Sequence, residues 1–378
     1  MSKFSTGLNP DGGESSRPSP PRRARRVGFV VALVVATAFA LGTVGTARVY
    51  GPSAADASGA SSRPGFVIGS PMSARRISRL QMLSATVGVG VAPIVTFSGR
   101  LLRGYLVRTD DGGATWRVTG VFPTGVYPWT TAFITPGVGY AIDSTGALVT
   151  TDAGRTWATV ATAGSPLSIS VRGRVAWIFV ERCRYGGGVM NGHCVTRLDA
   201  YAVGARRPTS VASVPGDQPF ASQVGPSSGY VAGGGVAGDR LFATIDDGRI
   251  WRSVASPCSR GDVSGAIAVS PSHLFLYCGI GSTTLYASSD GGATWRRRPS
   301  PSGGGFDAAG GSTGAYLWQF GTTLWESHDA GRSWVSVTGV KFGPSGAIVT
   351  YGAHDAWHAV PGHGIYRTTS GVTWTLLR

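Results

Sequence analysis

The stretch RTDDGGATWRV, Arg108–Val118, crowds Thr109, Asp110 and Asp111 around two glycines and closes on a tryptophan. Such a cluster is either a reactive loop or a tight turn, and the difference decides the fold. A reactive loop is expected once in a chain, whereas the turn of a repeated unit recurs. Read as T/S-x-D-x-G-x-T/S-W, the stretch returns as TTDAGRTW (Thr150–Trp157), TIDDGRIW (Thr244–Trp251), SSDGGATW (Ser288–Trp295) and SHDAGRSW (Ser327–Trp334). A shortened copy, TTSGVTW (Thr368–Trp374), lacks one residue and the aspartate.

The tryptophans Trp116, Trp157, Trp251, Trp295, Trp334 and Trp374 stand about 40 residues apart, with one gap of about two periods between Trp157 and Trp251. A unit without the turn is therefore expected in that gap, ending near Cys194–Val214. Each unit also carries an apolar phrase upstream of its turn: VGVGVA (Val87–Ala92), GVGYAID (Gly137–Asp143), GRVAWIFV (Gly173–Val180), SGYVAGG (Ser228–Gly234), SHLFLYC (Ser272–Cys278), GAYLWQF (Gly314–Phe320) and DAWHAV (Asp355–Val360). Short alternating strands, glycine turns and this period predict an all-β, seven-bladed β-propeller of four-stranded blades over residues 66–378. The composition agrees: 58 glycines and only 14% charged residues suit many short strands rather than a helical bundle.

Within each unit the turn joins the third strand to the fourth. The aspartates Asp111, Asp152, Asp246, Asp290 and Asp329 are read as acceptors of backbone N–H groups across that turn, with the following glycine at positive φ. The six tryptophans are read as apolar bodies filling the contact between neighbouring blades. None of this requires a ligand.

Upstream of the repeats the chain changes character. Residues 1–26 are polar, proline-rich and serine-rich, which predicts a disordered tail. Val27–Ala47 carries no charge, and as one helix it would span about 31 Å, enough for a bilayer core. The preceding Arg22, Arg23, Arg25 and Arg26 put the N-terminus in the cytoplasm and the rest outside. The sequence reading is thus a transmembrane signal anchor at the cell membrane, followed by a linker over 48–65. The alternative is a signal peptide cleaved after Gly45-Thr46-Ala47, giving a secreted protein. An extracytoplasmic location suits the four cysteines, whose sequence-local pairing, Cys183 with Cys194 and Cys258 with Cys278, is the expected one of three.

The formal net charge is +15, nearly all from arginine. A basic exterior favours a protein partner or an anionic cell-envelope polymer, and an exported domain disfavours nucleic acid. The turn motif resembles the Asp-box, or BNR, repeat of sialidases, endo-xyloglucanases, sortilin-type receptors and the photosystem II assembly-factor family. The phrase GYAIDSTGALVTTDAGRTW (Gly139–Trp157) is most similar to the last of these. That resemblance covers about residues 66–378 and implies the propeller fold of the WD40/YVTN/BNR-like group, whose members host unrelated activities.

A sialidase-like glycoside hydrolase is the alternative function. Its Arg-Ile-Pro motif is missing, since RRISRL (Arg75–Leu80) has no proline, and the only glutamates beyond residue 47 are Glu181 and Glu326. Asp143, Asp199, Asp217, Asp239, Asp262, Asp307 and Asp355 form no ranked pair, and His354, His358 and His363 lack the acidic or cysteine ligands that complete a metal set. No catalytic residue, metal or cofactor is assigned. The candidate binding element is the insertion Glu181–Arg197 between a second and a third strand, with Arg182, Arg184, Tyr185, His193 and Arg197. Further arginine groups, Arg75/Arg76/Arg79, Arg206/Arg207 and Arg296–Arg298, are read as blade-edge residues.

Overall fold

The computed structural model describes residues 66–95, 101–184, 193–215, 220–233, 240–258, 263–279, 284–301, 317–320, 323–338, 340, 348–351, 355–371 and 373–378. The chain divides into two units, Met1–Leu41 and Gly42–Arg378, and every described residue lies in the second.

Each repeat unit folds as an antiparallel meander, because its apolar runs are too short for helices and are broken by turn residues. The first sheet holds β1 (Arg79–Met82), β2 (Gly88–Val95), β3 (Leu101–Thr109) and β4 (Arg117–Val121). The second holds β5 (Thr130–Thr135), β6 (Val138–Asp143), β7 (Gly146–Thr150) and β8 (Ala158–Val160). The third, β9 (Ser165–Arg172), β10 (Val175–Arg184), β11 (His193–Ala202) and β12 (Ser210–Ser213), fills the stretch between Trp157 and Trp251 that carries no Asp turn. The fourth is β13 (Phe220–Gln223), β14 (Gly229–Gly233), β15 (Arg240–Thr244) and β16 (Arg252–Val254). The fifth is β17 (Val263–Ala268), β18 (Leu274–Cys278), β19 (Thr284–Ser288) and β20 (Arg296–Arg298). Then come β21 (Leu317–Phe320), β22 (Leu324–Ser327) and β23 (Val335–Val337), and finally β24 (Ile348–Tyr351), β25 (Asp355–Val360), β26 (Gly364–Thr368) and β27 (Trp374–Leu377).

Two expectations are corrected. The four-stranded blades number six, not seven: the sheet of β21–β23 has three strands among the described residues. Its β22 leads into the Asp turn as a third strand does elsewhere, so β21 stands in the second-strand place, and the stretch upstream of β21 lies outside the described residues. The transmembrane helix expected over Val27–Ala47 also falls outside them, and among the described residues no helix is long and apolar enough to cross a membrane. That expectation rested on the uncharged run Val27–Ala47 and the arginines before it.

The sheets stack face to face around a ring. Innermost strands meet in succession, β1 with β5, β5 with β9, β9 with β13 and β13 with β17, and β24 returns to β1. The second strands are covered on both faces by neighbouring sheets, which explains why their phrases read as unbroken apolar runs. All five residues of β18, Leu274 to Cys278, are buried. Polar side chains on the innermost strands tie one sheet to the backbone of the next. Gln81 takes both backbone groups of Phe133, donating to its O at 2.9 Å and accepting from its N at 2.7 Å. Ser222 does the same at Ala268, at 3.0 and 2.9 Å.

Among the described residues each sheet is built from consecutive strands, and no strand exchange joins the first sheet to the last. Closure rests on packing and loops instead. Met72, Ile77, Tyr105 and Trp116 from the start of the chain share one core with Trp357, Ala359 and Ile365 from its end. A 3-10 turn at Ala74–Arg76 sits at this seam, where Gly362 N donates to Arg75 O at 2.8 Å.

Candidate partner-binding surface

The Asp turns are built alike. In the first, Asp111 Oδ1 accepts from Thr109 Oγ1 at 2.8 Å and from Thr115 N at 2.9 Å, while Oδ2 accepts from Thr115 Oγ1 at 2.6 Å. Thr109 Oγ1 in turn accepts from Gly113 N at 2.8 Å. The same set holds Asp152, Asp290 and Asp329. All five carboxyls lie below their ordinary value. For Asp111 and Asp329, burial pushes upward but the hydrogen bonds outweigh it. The Thr156 hydroxyl leads at Asp152 and the Ile250 N–H at Asp246, and Thr294 and Ser288 bring Asp290 down to about 2. In the shortened copy Ser370 stands in for the aspartate, and its Oγ accepts from Thr373 N at 3.2 Å.

The tryptophans that end the turns pack into the seam with the preceding sheet. Trp157 stacks on Phe122 with ring centroids 4.7 Å apart. Trp295 Nε1 donates to Ala255 O at 2.7 Å, and Trp334 Nε1 to Pro299 O at 2.8 Å. Trp116 bonds within its own turn, to Gly113 O, at the seam between first and last sheets. Trp251 and Trp374 join the clusters at their own seams.

The candidate insertion is a long hairpin of β10 and β11. Its register opposes Val180 to Arg197, Arg182 to Val195, Cys183 to Cys194 and Arg184 to His193. Cross-strand partners share a face and strands alternate, so Arg182 and Arg197 fall on one face of the ribbon and Cys183 on the other. Arg182 is exposed, and Arg197 lies near enough to Asp199 to attract its charge. Cys183 is disulfide-bonded, Cys258 bonds Cys278, and no described cysteine is free. Tyr185, and the side chains of Arg184, His193 and Cys194, lie outside the described residues. The third strand runs from this hairpin toward the following turn, so the hairpin opens at the opposite end of its sheet from where other sheets carry their Asp turns.

The remaining carboxylates scatter. Asp143 caps its own turn through Thr145 and Gly146. Asp199 is buried, accepts from Ala163 N at 3.2 Å and Tyr201 Oη at 3.4 Å, and is pushed up by burial. Glu326, also buried and pushed up by burial, faces His328 at 3.1 Å. Asp355 pairs with Arg367 at 3.6 Å, and Glu181 lies on β10. Asp217, Asp239, Asp262 and Asp307 lie outside the described residues, as does His354. His358 is buried and His363 exposed, and among the described residues no three His, Cys, Asp or Glu side chains gather to hold a metal.

The sequence left one group of residues unranked. Arg297, Arg298, Thr284, Pro299 and Ser300 line a cleft of about 370 Å³. Burial, then the like charges of Arg332 and Arg296, lower the pKa of Arg298, with Asp329 only partly opposing them. Among the described residues, none of Arg296, Arg297, Arg298 and Arg332 enters an ion pair. The run Arg296–Arg298 was its only sequence signal, and the contribution of Arg332 depends on how two sheets meet.

Consecutive antiparallel sheets stacked around a ring, with polar loops at both ends, define a β-propeller. No family model matches the chain, and no curated protein matches it. Among solved structures it is similar to YCF48 bound to a D1 peptide, at 16% identity and a TM-score of 0.53, covering 81% of this chain and 98% of that one. A Mycobacterium tuberculosis puromycin-hydrolysing peptidase matches at 12% identity and a TM-score of 0.55, over 84% of this chain and 57% of that one. The β-propeller domain of the Pyrococcus furiosus Trilobed protease, described as having an open velcro topology, matches at 9% and 0.53, over 80% and 97%. At these identities the likeness concerns the fold.

Proposed function

We propose that this chain is a non-catalytic binding or assembly propeller that holds a protein partner outside the cytoplasm. The observation that carries the reading is the crowding of Arg296, Arg298 and Arg332 beside the cleft at Arg297, with no ion pair among the described residues to offset it. Like charges held together cost free energy, and an acidic partner face relieves that cost. Four of the turn aspartates, Asp111, Asp152, Asp290 and Asp329, support the reading because both carboxyl oxygens of each are engaged within its turn. The formed disulfides favour an oxidising compartment. The similarity to YCF48 bound to a D1 peptide is in keeping with peptide or protein capture by this fold. The hairpin of β10 and β11 is proposed as a second contact, through Arg182 and Arg197.

The test uses the full chain, tagged and crosslinked in its native envelope. One defined protein is expected, and R297E/R298E should lose it. Recovery of an anionic polymer instead would replace the protein partner. Turnover of sialosides or polysaccharides that disappears on replacing a single carboxylate would overturn the reading in favour of a glycoside hydrolase.

A further inference from the structure

The chain shows on itself how the outer edge of a sheet can be filled. β4 is the outermost strand of the first sheet, and the segment Gly69–Met72 lies along its free side. Pro71 stands opposite Arg117, Met72 N donates to Trp116 O and Val118 N to Ser70 O, both at 2.9 Å, and Gly69 N donates to Val118 O at 2.8 Å. An antiparallel strand therefore fits beside the residues that follow a turn tryptophan.

β20 holds the same place in the fifth sheet. Arg296 follows Trp295 as Arg117 follows Trp116, and the two have matching register on their third strands, Arg296 opposite Ala287 and Arg117 opposite Arg108. Backbone groups alternate in direction along a strand, so Arg297 N–H and C=O point to the outer side as those of Val118 do. Among the described residues β20 pairs only with β19, and Arg297 and Arg298 continue into the wall of the cleft of about 370 Å³.

The outermost strands of the second, third, fourth, sixth and seventh sheets also pair on one side only among the described residues, and charge sets β20 apart. Its three residues are all arginine, and Arg332 of the sixth sheet adds a fourth. The one carboxylate acting on Arg298 is Asp329, and both its oxygens are held within its own turn by Ser327 and Ser333. Four guanidiniums against one engaged carboxylate leave this edge cationic. Arginine along an edge repels a basic strand and favours one that carries carboxylates. A second copy of this chain, at a net charge of +15, is disfavoured there.

We propose that an extended segment of the protein partner adds to β20 as a further antiparallel strand, with carboxylates at every second residue. The spacing follows from the pleat: Arg296 and Arg298 share one face, and the residues opposite them on an added strand share that face and that spacing. The residues between, opposite Trp295 and Arg297, turn their amides toward β20, as Met72 does toward Trp116. Those opposite Arg296 and Arg298 turn theirs away, which is why Pro71, with no N–H, is accepted opposite Arg117. The inference rests on the reading that the propeller holds a protein partner, and it states how the arginine surface grips that partner.

The probe is a short fluorescein-labelled peptide alternating glutamate with threonine, titrated by anisotropy against the full chain. Saturable binding is expected, weakened about tenfold or more by R296E/R298E. The peptide arms need no altered protein, so misfolding cannot imitate them. The same residues arranged as a glutamate block and a threonine block should bind about tenfold or more weakly. N-methylation of the threonine amides should abolish binding, whereas N-methylation of the glutamate amides should leave it within about twofold. Equal loss from both methylated sets, equal affinity of the block peptide, or tighter binding of inorganic polyphosphate than of the alternating peptide overturns the inference. If a protein is still captured through Arg297 and Arg298, strand addition alone falls. If no protein is captured either, the proposed function falls with it.

Discussion

Trp357 Nε1 donates a 2.8 Å hydrogen bond to Gly112 O, joining the last sheet to the first Asp turn inside a buried seam. The two residues are 245 positions apart, and with no shared strand among the described residues this bond is part of what closes the ring. Arg367 reinforces it, with its guanidinium 5.1 Å from the Trp357 ring centroid and Nη2 donating to Ala85 O. Trp357→Phe keeps most of the apolar body but strands the Gly112 carbonyl. Stability is expected to fall by about 1–3 kcal/mol, read from the denaturant midpoint. A midpoint equal to wild type would show that closure does not depend on this bond.

The turn carboxylates predict an acid limit. Their folded-state pKa values lie below the ordinary 3.8, so the stability they contribute is complete above 3.8 and is lost as the pH falls through the folded values, about 2 for Asp290. Melting temperature should hold steady down to about pH 5 and then drop between about pH 4 and 2. Asp290→Asn should begin lower at neutral pH and fall less steeply. An acid transition unchanged in D290N would remove this carboxylate from the explanation.

Backbone strain in the turns predicts stabilising changes. Ala153, Asp247 and Ala330 hold φ of 61°, 61° and 58° where Gly112 and Gly291 occupy the same place in the other copies. A left-handed residue with a Cβ costs roughly 1–2 kcal/mol, part of which the greater freedom of unfolded glycine cancels. Ala153→Gly and Ala330→Gly should each raise stability by about 0.5–1 kcal/mol. Gly113→Ala, at φ 96°, should lower it. Thermal unfolding of the three variants separates the signs.

The bridge Cys258–Cys278 closes a separation of 20 residues. Limiting the unfolded chain in this way contributes about 3 kcal/mol, so C258S/C278S should melt well below wild type. The bridge links the end of β18 to the segment after β16, so the loss should appear as earlier opening of the fourth and fifth sheets by hydrogen exchange. Uniform protection across the chain in that variant would argue against a local role.

The turn motif was legible because its chemistry is local: Thr109, Asp111, Gly113 and Thr115 satisfy one another within a few residues. The stacking role of the tryptophans was legible for a related reason, since a large ring at the end of a turn has only the neighbouring sheet to pack on. Less was visible where Ala153 and Ala330 take the place that Gly112 holds in the first turn, because alanine gives no sign of positive φ. The clamp of Gln81 on Phe133 was invisible, because a lone glutamine on a strand says nothing about which backbone it will meet.

By itself the sequence determined the repeat, its antiparallel meanders and the structural use of its aspartates, since those depend on residues close together in the chain. Tertiary structure alone decided the number of four-stranded blades, the closure through Trp357 and Gly112, the crowding of Arg298 with Arg332, and the pairing of Gly69–Met72 with β4. Each of these depends on which sheets face each other and on what is left uncovered, and residues far apart in the chain meet only when the ring closes.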